Sequence, residues 1–311
     1  MSNSILFVGD SGSTKTTQLH FLAKYYHKHN PTKKIRLIVA GGGEMEPFET
    51  SGIIDEGIVE VFDISFSKNF LATTRRISEG FWPIKDDIDK DGQLILTEDD
   101  KYRTNWKTAN VGMYLVDHLS GVASSFLSHL SDQKNGAGFK ESWTYEDDGV
   151  TIIGLQMGHY GIVQREIQKF VSRGLKRLPV DMLGVAALID KGEDRKKQTV
   201  YGPKIAGSAM TEEVPSWFGD NFYLDSEIVE VVKNNETFNV KKKVAWFRDH
   251  NDNDTNVKCL AKIRLLSELV PIFNKEYPKG FVELSYKRGI MDVLETRDRI
   301  IKEYREKEKV S

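Results

Sequence analysis

The chain has 311 residues, of which 39% are apolar, so it can bury a sizeable core in one large domain or in one domain with an appendage. Its formal net charge of -2 excludes a generally basic coat for nucleic acid, although a local basic patch is still possible. Its single cysteine, Cys259, excludes an internal disulfide, and it has no apolar run long enough to span a membrane and no leader pattern. We expect a soluble, cytoplasmic protein with no membrane partner.

The first third of the chain alternates apolar runs with helical patterns, as a parallel α/β sheet does. The runs SILFVG, KIRLIVAGGG and GIVEVFDI predict three buried strands. Between the first two, TTQLHFLAKYYHKH places Leu19, Leu22, Ala23 and Tyr26 on one helical stripe. The pattern then lapses over residues 65–108, which we interpret as a polar, acidic insertion.

The later segments continue the α/β pattern. A strand followed by a helix is predicted for ANVGMYLVDHLSGVASSFLSHL. A helix is predicted for MGHYGIVQREIQKFVSRGLKRL, and a strand is predicted for VDMLGVAALID. NFYLDSEIVEVVK and KKKVAWFRDH predict paired strands, and residues 284–309 a charged helix with an apolar stripe. We therefore predict an α/β fold with a mainly parallel central sheet flanked by helices, over residues 1–265, and a C-terminal helical extension over residues 266–311.

The segment GDSGSTKT, residues 9–16, nearly matches the phosphate-binding loop G-x-x-x-x-G-K-[ST], with Thr14 in place of the second glycine. In such a loop, backbone N–H groups surround the phosphates at a helix N-terminus, the lysine reaches the terminal phosphates, and the hydroxyl holds magnesium. Thr14 is compatible with this role if its backbone conformation is ordinary and its side chain points away from the phosphates. The predicted binding residues for ATP are Gly9, Asp10, Ser11, Gly12, Ser13, Thr14, Lys15, Thr16 and Thr17.

Two other interpretations of this loop stay open at the level of sequence. One is an ordinary Ser/Gly-rich turn between a strand and a helix. The other is the phosphate hairpin of actin-like sugar kinases, in which a second strand follows the turn. The helical period of the following segment favours the phosphate-binding loop.

An acid at the exit of a buried strand would complete a Mg²⁺ site with Thr16. Asp117 follows the apolar run 111–116, although capping of the next helix is an alternative role for it. The residue after it is His118 and not a second acid. Hydrolysis also needs a group that orients the attacking water. The candidates are Glu44 and Glu46, at the exit of the second strand. The alternative for each is a surface residue that only contributes to solubility.

The segments GDSGSTKTTQ, RLIVAGGGEMEPF, DEGIVEVFDI, GFWP, YLVDHLSG, GHYGIVQREIQKF, YGPKIAG and WFGDNFYLD together resemble RecA-like P-loop ATPases of tailed bacteriophages. The resemblance implies a RecA-like P-loop fold, with ATP and magnesium as cofactors, and a homo-oligomer that acts in phage DNA metabolism on single- or double-stranded DNA. It also implies that Asp117 is the magnesium acid. Gly41 stands where an acidic residue is usual, which favours slow hydrolysis.

Further candidates follow from this resemblance. A neighbouring subunit's Lys191, Arg195 or Lys204 could reach the γ-phosphate, and Gln156 could sense it, although surface charge or a loop cap explains each equally well. The leading function is an ATPase. A nucleotide-dependent assembly or scaffold protein with slow hydrolysis is the alternative, and a small-molecule kinase is a third option.

Residues 87–98 form a separate motif. Asp87, Asp89, Asp91, Gly92 and Glu98 have the spacing of a twelve-residue calcium loop. The flanking sequence favours a hairpin over calcium binding, since Pro83 interrupts the helix that would have to precede the loop. The acidic run that contains Asp249, His250, Asp252 and Asp254 offers possible metal ligands, but its turn-rich sequence and single imidazole favour a solvated loop.

Overall fold

A computed structural model describes residues 3–40, 45–64, 70–82, 110–132, 144–147, 150–153, 157–193, 198–205, 209–233, 236–251 and 257–308. The strands are β1 (Asn3–Gly9), β2 (Lys34–Val39), β3 (Val59–Asp63), β4 (Val111–Asp117), β5 (Thr144–Asp147), β6 (Val150–Ile153), β7 (Met182–Glu193), β8 (Thr199–Pro203), β9 (Asp220–Lys233), β10 (Glu236–Trp246), β11 (His250–Asn251), β12 (Lys258–Cys259) and β13 (Phe281–Glu283). The helices are α1 (Lys15–His29), α2 (Glu46–Glu49), α3 (Phe70–Ser78), α4 (Leu119–Asp132), α5 (Met157–Gln168), α6 (Ala209–Ser216), α7 (Val270–Glu276) and α8 (Met291–Glu308). In this part of the chain, no helix is both long enough and apolar enough to cross a bilayer.

The central sheet is largely parallel, as predicted. Six parallel strands lie in the order β3-β2-β4-β7-β1-β9. Strand β10 pairs antiparallel with β9, and β13 pairs antiparallel with β10. On the other side, β8 pairs antiparallel with the second half of β7, past the point where β4 ends. Strand β12 then pairs with β8, and β11 with β12. Strands β5 and β6 form a separate hairpin.

Helices cover both faces of the sheet, which explains the near-continuous apolar runs of its strands. Ile5 and Phe7 of β1 belong to the core shared with α1, α7 and α8, and Leu6 and Val8 to the core shared with α3 to α6. Since α1 follows β1 on one face and α4 follows β4 on the other, a crevice opens between the carboxyl ends of these two strands. Open α/β sheets bind ligands at such a point, where the helices that follow two strands lie on opposite faces of the sheet.

The predicted apolar stripe of α1 is confirmed. Leu19, Leu22, Ala23 and Tyr26 are all buried. Burying each of the two leucines contributes about 1.5–3 kcal/mol to folding. This stripe attaches the start of α1, and with it residues 9–16, firmly to the sheet.

Three helical predictions differ from the structure. Residues 70–82 were expected to belong to an acidic insertion, but they contain α3, whose Phe70 and Ile77 are buried in the core. The helix predicted from residue 284 begins only at Met291, because residues 284–290 first run beside β10 and then turn at Gly289, where φ is +48°. The long helix predicted over 157–178 is α5 followed by a π-helical turn, Lys169–Gly174, and a 3₁₀ turn, Leu175–Arg177.

The C-terminal segment packs on the same core as the sheet. Phe273 of α7 and the apolar face of α8, which includes Val293, Leu294 and Ile300, lie in one cluster with Leu19 and Leu22 of α1. The domain boundary at residue 265 stays a prediction.

Candidate phosphate-binding site

Residues 9–16 form a tight loop between the end of β1 and the start of α1. The N–H of Ser13 donates to the carbonyl oxygen of Asp10 at 3.1 Å, and Gly12 has a φ of +73°. A Cβ on Gly9 would lie 2.4 Å from Ser13 Oγ and 2.6 Å from the carbonyl oxygen of Leu224 in β9. Glycine is thus required at position 9 for close contact and favoured at position 12 by the backbone angle.

Thr14, at the position of the motif's second glycine, has a left-handed backbone conformation. Its φ is +70° and its ψ is 22°. The condition that the sequence analysis set for Thr14, an ordinary backbone conformation, is therefore not met. A β-branched residue with positive φ is strained by about 1–2 kcal/mol, so the loop keeps its turn at a cost in stability.

Lys15 folds back over the loop at the first turn of α1. Its Nζ donates to the carbonyl oxygens of Gly9 at 2.9 Å and Asp10 at 2.5 Å, and to Ser13 Oγ at 3.2 Å. The side chain is buried, with 8% exposure. The ammonium therefore lies in the concave side of the loop, next to the N-terminus of a fifteen-residue helix, where anions are favoured. Since α1 follows the loop directly, the sugar-kinase hairpin is excluded.

Thr16 and Asp117 meet across the crevice. The Thr16 hydroxyl donates to Asp117 Oδ2 at 2.7 Å, although 101 residues separate them in the chain. The Asp117 side chain is buried, with 1% exposure, and its carbonyl oxygen accepts the N–H of Ala40 from the end of β2. The structure thus brings together the hydroxyl and the carboxylate that the sequence predicts as magnesium ligands.

His118 caps the helix that follows β4. Its Nδ1 accepts the N–H of Gly121 at 2.8 Å, so a neutral ring carries its proton on Nε2. Burial lowers the pKa of His118, and the nearby Lys15 ammonium lowers it further. At neutral pH the side chain after Asp117 is therefore an uncharged imidazole, which does not replace a second acid.

The other candidates of the sequence analysis are exposed or lie outside the described residues. Glu46 is exposed at the start of α2, after β2, which β4 and β7 separate from β1. Lys191 and Lys204 are exposed. Outside the described residues lie Gly41, Glu44, Gln156, Arg195, the calcium-loop positions 87–98, and Asp252 and Asp254.

Asp249 and His250 have structural partners. Asp249 accepts the N–H of Ala261 at 3.0 Å, and its other oxygen lies 2.8 Å from Lys258 Nζ. His250 stacks on Trp246 with ring centroids 3.9 Å apart. Within the described ranges, no group of three or more His, Cys, Asp or Glu side chains is arranged to hold a metal ion.

A cavity of about 850 Å³ opens beside the loop on its β9 side. Thr14 of the loop lines it together with Thr17 and Gln18 of α1. Residues 240–243 of β10, and residues 283–286 at the end of β13 and just after it, form the other wall. Tyr286 is fully exposed at this cavity. Sequence reasoning missed the cavity because its walls are more than 200 residues apart in the chain.

Gln18 connects the loop to the C-terminal segment. Its Nε2 donates to Thr14 Oγ1 at 3.4 Å, and its Oε1 accepts the N–H of Ile290 at 2.9 Å. A Cβ on Gly289 would lie 2.5 Å from Gln18 Oε1 and 2.3 Å from Phe21. Residues just before α8 are thereby held against the first turns of α1.

No protein-family model matches the chain, and no curated protein matches it. Among solved structures it is similar to the flagellar accessory protein FlaH from Methanocaldococcus jannaschii, with 8% sequence identity and a TM-score of 0.35. That similarity covers 78% of this chain and 76% of FlaH. The TM-score is too low to assign a family or a function.

Proposed function

We propose that the chain is a P-loop protein of the RecA-like class that binds ATP with magnesium at residues 9–17. The observation that supports this most is the 2.7 Å contact between Thr16 and Asp117. It joins the helix start that would hold the phosphates to the strand end that would hold the metal, in the crevice where α/β sheets bind ligands.

The donor set fits magnesium. Thr16 offers a hydroxyl oxygen and Asp117 a carboxylate, and Mg²⁺ prefers such hard oxygen ligands together with substrate phosphates. When bound, the ion would neutralise charge on the β- and γ-phosphates. Lys15 would exchange its bonds to the loop carbonyls for bonds to phosphate oxygens.

The nucleoside would lie in the cavity beside the loop. Thr16 and Asp117, which would hold the metal near the terminal phosphates, lie on the β4 side of β1, so the ribose and base would extend toward β9. There the exposed ring of Tyr286 can stack on a base, which contributes about 1–3 kcal/mol. Lys241 and Lys243 line the same cavity and form no ion pair with a described residue.

Slow hydrolysis is favoured over rapid turnover. Glu46 is exposed on α2, and the residue after Asp117 is His118 and not a second acid. The described residues thus offer no second acid for the attacking water next to Asp117. A nucleotide-dependent assembly protein is therefore the second candidate function, and it shares the same binding site.

Fluorescent ATP binding with magnesium tests the site. Lys15→Ala should abolish binding, whereas Lys24→Ala, which removes an exposed lysine from the same helix, should leave it unchanged. Tyr286→Ala should weaken ATP about tenfold and leave inorganic tripolyphosphate unaffected, because the latter has no base. Equal ATP binding by wild type and Lys15→Ala would refute the loop as the site.

Phosphate release separates the two candidate functions. Turnover faster than nucleotide dissociation would support the ATPase, and tight binding with release near the uncatalysed rate would support the assembly protein. The homo-oligomer, the trans-acting Lys191 or Lys204 and the part in phage DNA metabolism depend on the resemblance alone and stay predictions.

A further inference from the structure

A second cavity lies at the opposite end of the strands, where β1 and β9 begin. It has a volume of about 620 Å³, and four cationic side chains line it together with three carboxylates. The cationic residues are Arg264, which follows β12, and Arg297, Lys302 and Arg305 of α8. The length of β1, about 20 Å, separates this cavity from the loop that contains Lys15.

A buried ion pair fixes the wall of this cavity. Asp220 Oδ2 accepts a hydrogen bond from Arg297 Nη1 at 2.5 Å, and both side chains are less than a tenth exposed. Asp220 Oδ1 accepts the backbone N–H of Arg264 at 2.7 Å. The Asp220 carboxylate is therefore used within the protein, and it holds the backbone of Arg264 at the rim.

The remaining carboxylates also have partners, whereas two guanidinium groups pair with no acid among the described residues. Asp298 accepts a hydrogen bond from a tyrosine hydroxyl of α1, and Glu306 lies 3.9 Å from Lys302. Arg264 and Arg305 are exposed and form no ion pair with any residue in the described part of the chain. They leave positive charge at the cavity that no ion pair among the described residues neutralises.

Two lysines that do not line the cavity lie close enough to Arg264 for their charges to interact with it. Burial lowers the pKa of Lys176, and Arg264 lowers it further. Burial also lowers the pKa of Lys262; Asp220 opposes this effect, while Lys176 and Arg264 add to it. Because these like charges repel one another, an anion at the cavity would relieve the repulsion and interact with several cations at once.

We propose that this cavity binds a phosphate chain, with Arg264 and Arg305 contacting its oxygens. Guanidinium groups suit phosphate because they can donate two parallel hydrogen bonds. The cavity lining contains no aromatic side chain among the described residues, so charge and not base stacking would provide recognition. The phosphate chain can be a free oligophosphate or the backbone of a nucleic acid, and the inference does not depend on the function of the loop.

Calorimetry on Lys15→Ala protein tests this site without competition from the loop. The two probes are inorganic tripolyphosphate and a single-stranded oligothymidylate. Replacing both Arg264 and Arg305 by alanine should weaken binding at least tenfold and reduce the salt dependence of log K by about 1–2. The control is Arg299→Ala on the same helix, whose guanidinium pairs with Glu276 and Glu303 and does not line the cavity.

Each outcome has a defined meaning. Tripolyphosphate binding that depends on the two arginines supports a free oligophosphate as the ligand, and oligonucleotide binding alone supports a phosphodiester backbone. The oligonucleotide measurement is repeated in the otherwise wild-type chain, so that it does not require Lys15→Ala to fold. Equal affinities in the double variant and in Arg299→Ala, or no binding of either probe, would overturn the proposal.

Discussion

Replacing Thr14 by glycine should stabilise the protein, although the change removes a side chain from a loop. Thr14 has a φ of +70°, which costs a non-glycine residue about 1–2 kcal/mol. Glycine avoids this cost but loses about 0.5–1 kcal/mol through the greater freedom of the unfolded chain. The hydroxyl's contact with Gln18, at 3.4 Å, is long for a hydrogen bond and contributes little. We expect a net gain of about 0.5–1 kcal/mol in the free energy of unfolding.

Thr14→Ala is the matched control, because alanine retains the strain and also lacks the hydroxyl. Urea denaturation of the three proteins should rank glycine above threonine, and threonine at or slightly above alanine, with about 1 kcal/mol between the two variants. Unchanged slopes would show that the difference is one of stability. Equal stability of the two variants, or a less stable glycine variant, would refute the left-handed conformation of this position in solution.

Three other predictions concern the metal, the pH dependence and the second cavity. Asp117→Asn should remove the difference between ATP binding in magnesium and in EDTA; an undiminished difference would contradict the assignment. Burial lowers the pKa of His20 from 6.5 to about 4. Between these pH values the side chain is protonated in the unfolded chain but not in the folded one. The free energy of unfolding should therefore fall as the pH is lowered from 6.5 to 4. The loss is at most about 3 kcal/mol, and in urea denaturation at several pH values a His20→Leu variant should show a flatter dependence. Arg297→Ala should cost about 3–5 kcal/mol because it leaves Asp220 buried and unpaired, whereas Arg299→Ala, an exposed pair, should cost under about 1 kcal/mol in the same denaturation assay.

The sequence predicted those features whose signals are local. The apolar runs before Gly9 and Asp117 predicted β1 and β4, and the period of residues 16–29 predicted α1. It missed α3 because that helix lies between polar segments. It also placed the start of the last helix too early, since contact of Gly289 with Gln18 and Phe21, and not a local pattern, fixes the turn before it.

The amino-acid sequence by itself determined the loop, its lysine and hydroxyl, and the strands and helix on which they lie, because these depend on neighbouring residues. Only the tertiary structure decided that Thr16 contacts Asp117, that β7 lies between β1 and β4, and that Thr14 has a left-handed backbone. The two cavities also belong to the tertiary structure, since each combines the first residues of the chain with α8 or the segment before it. Contacts over such separations follow from strand order and packing, which local periodicity does not specify.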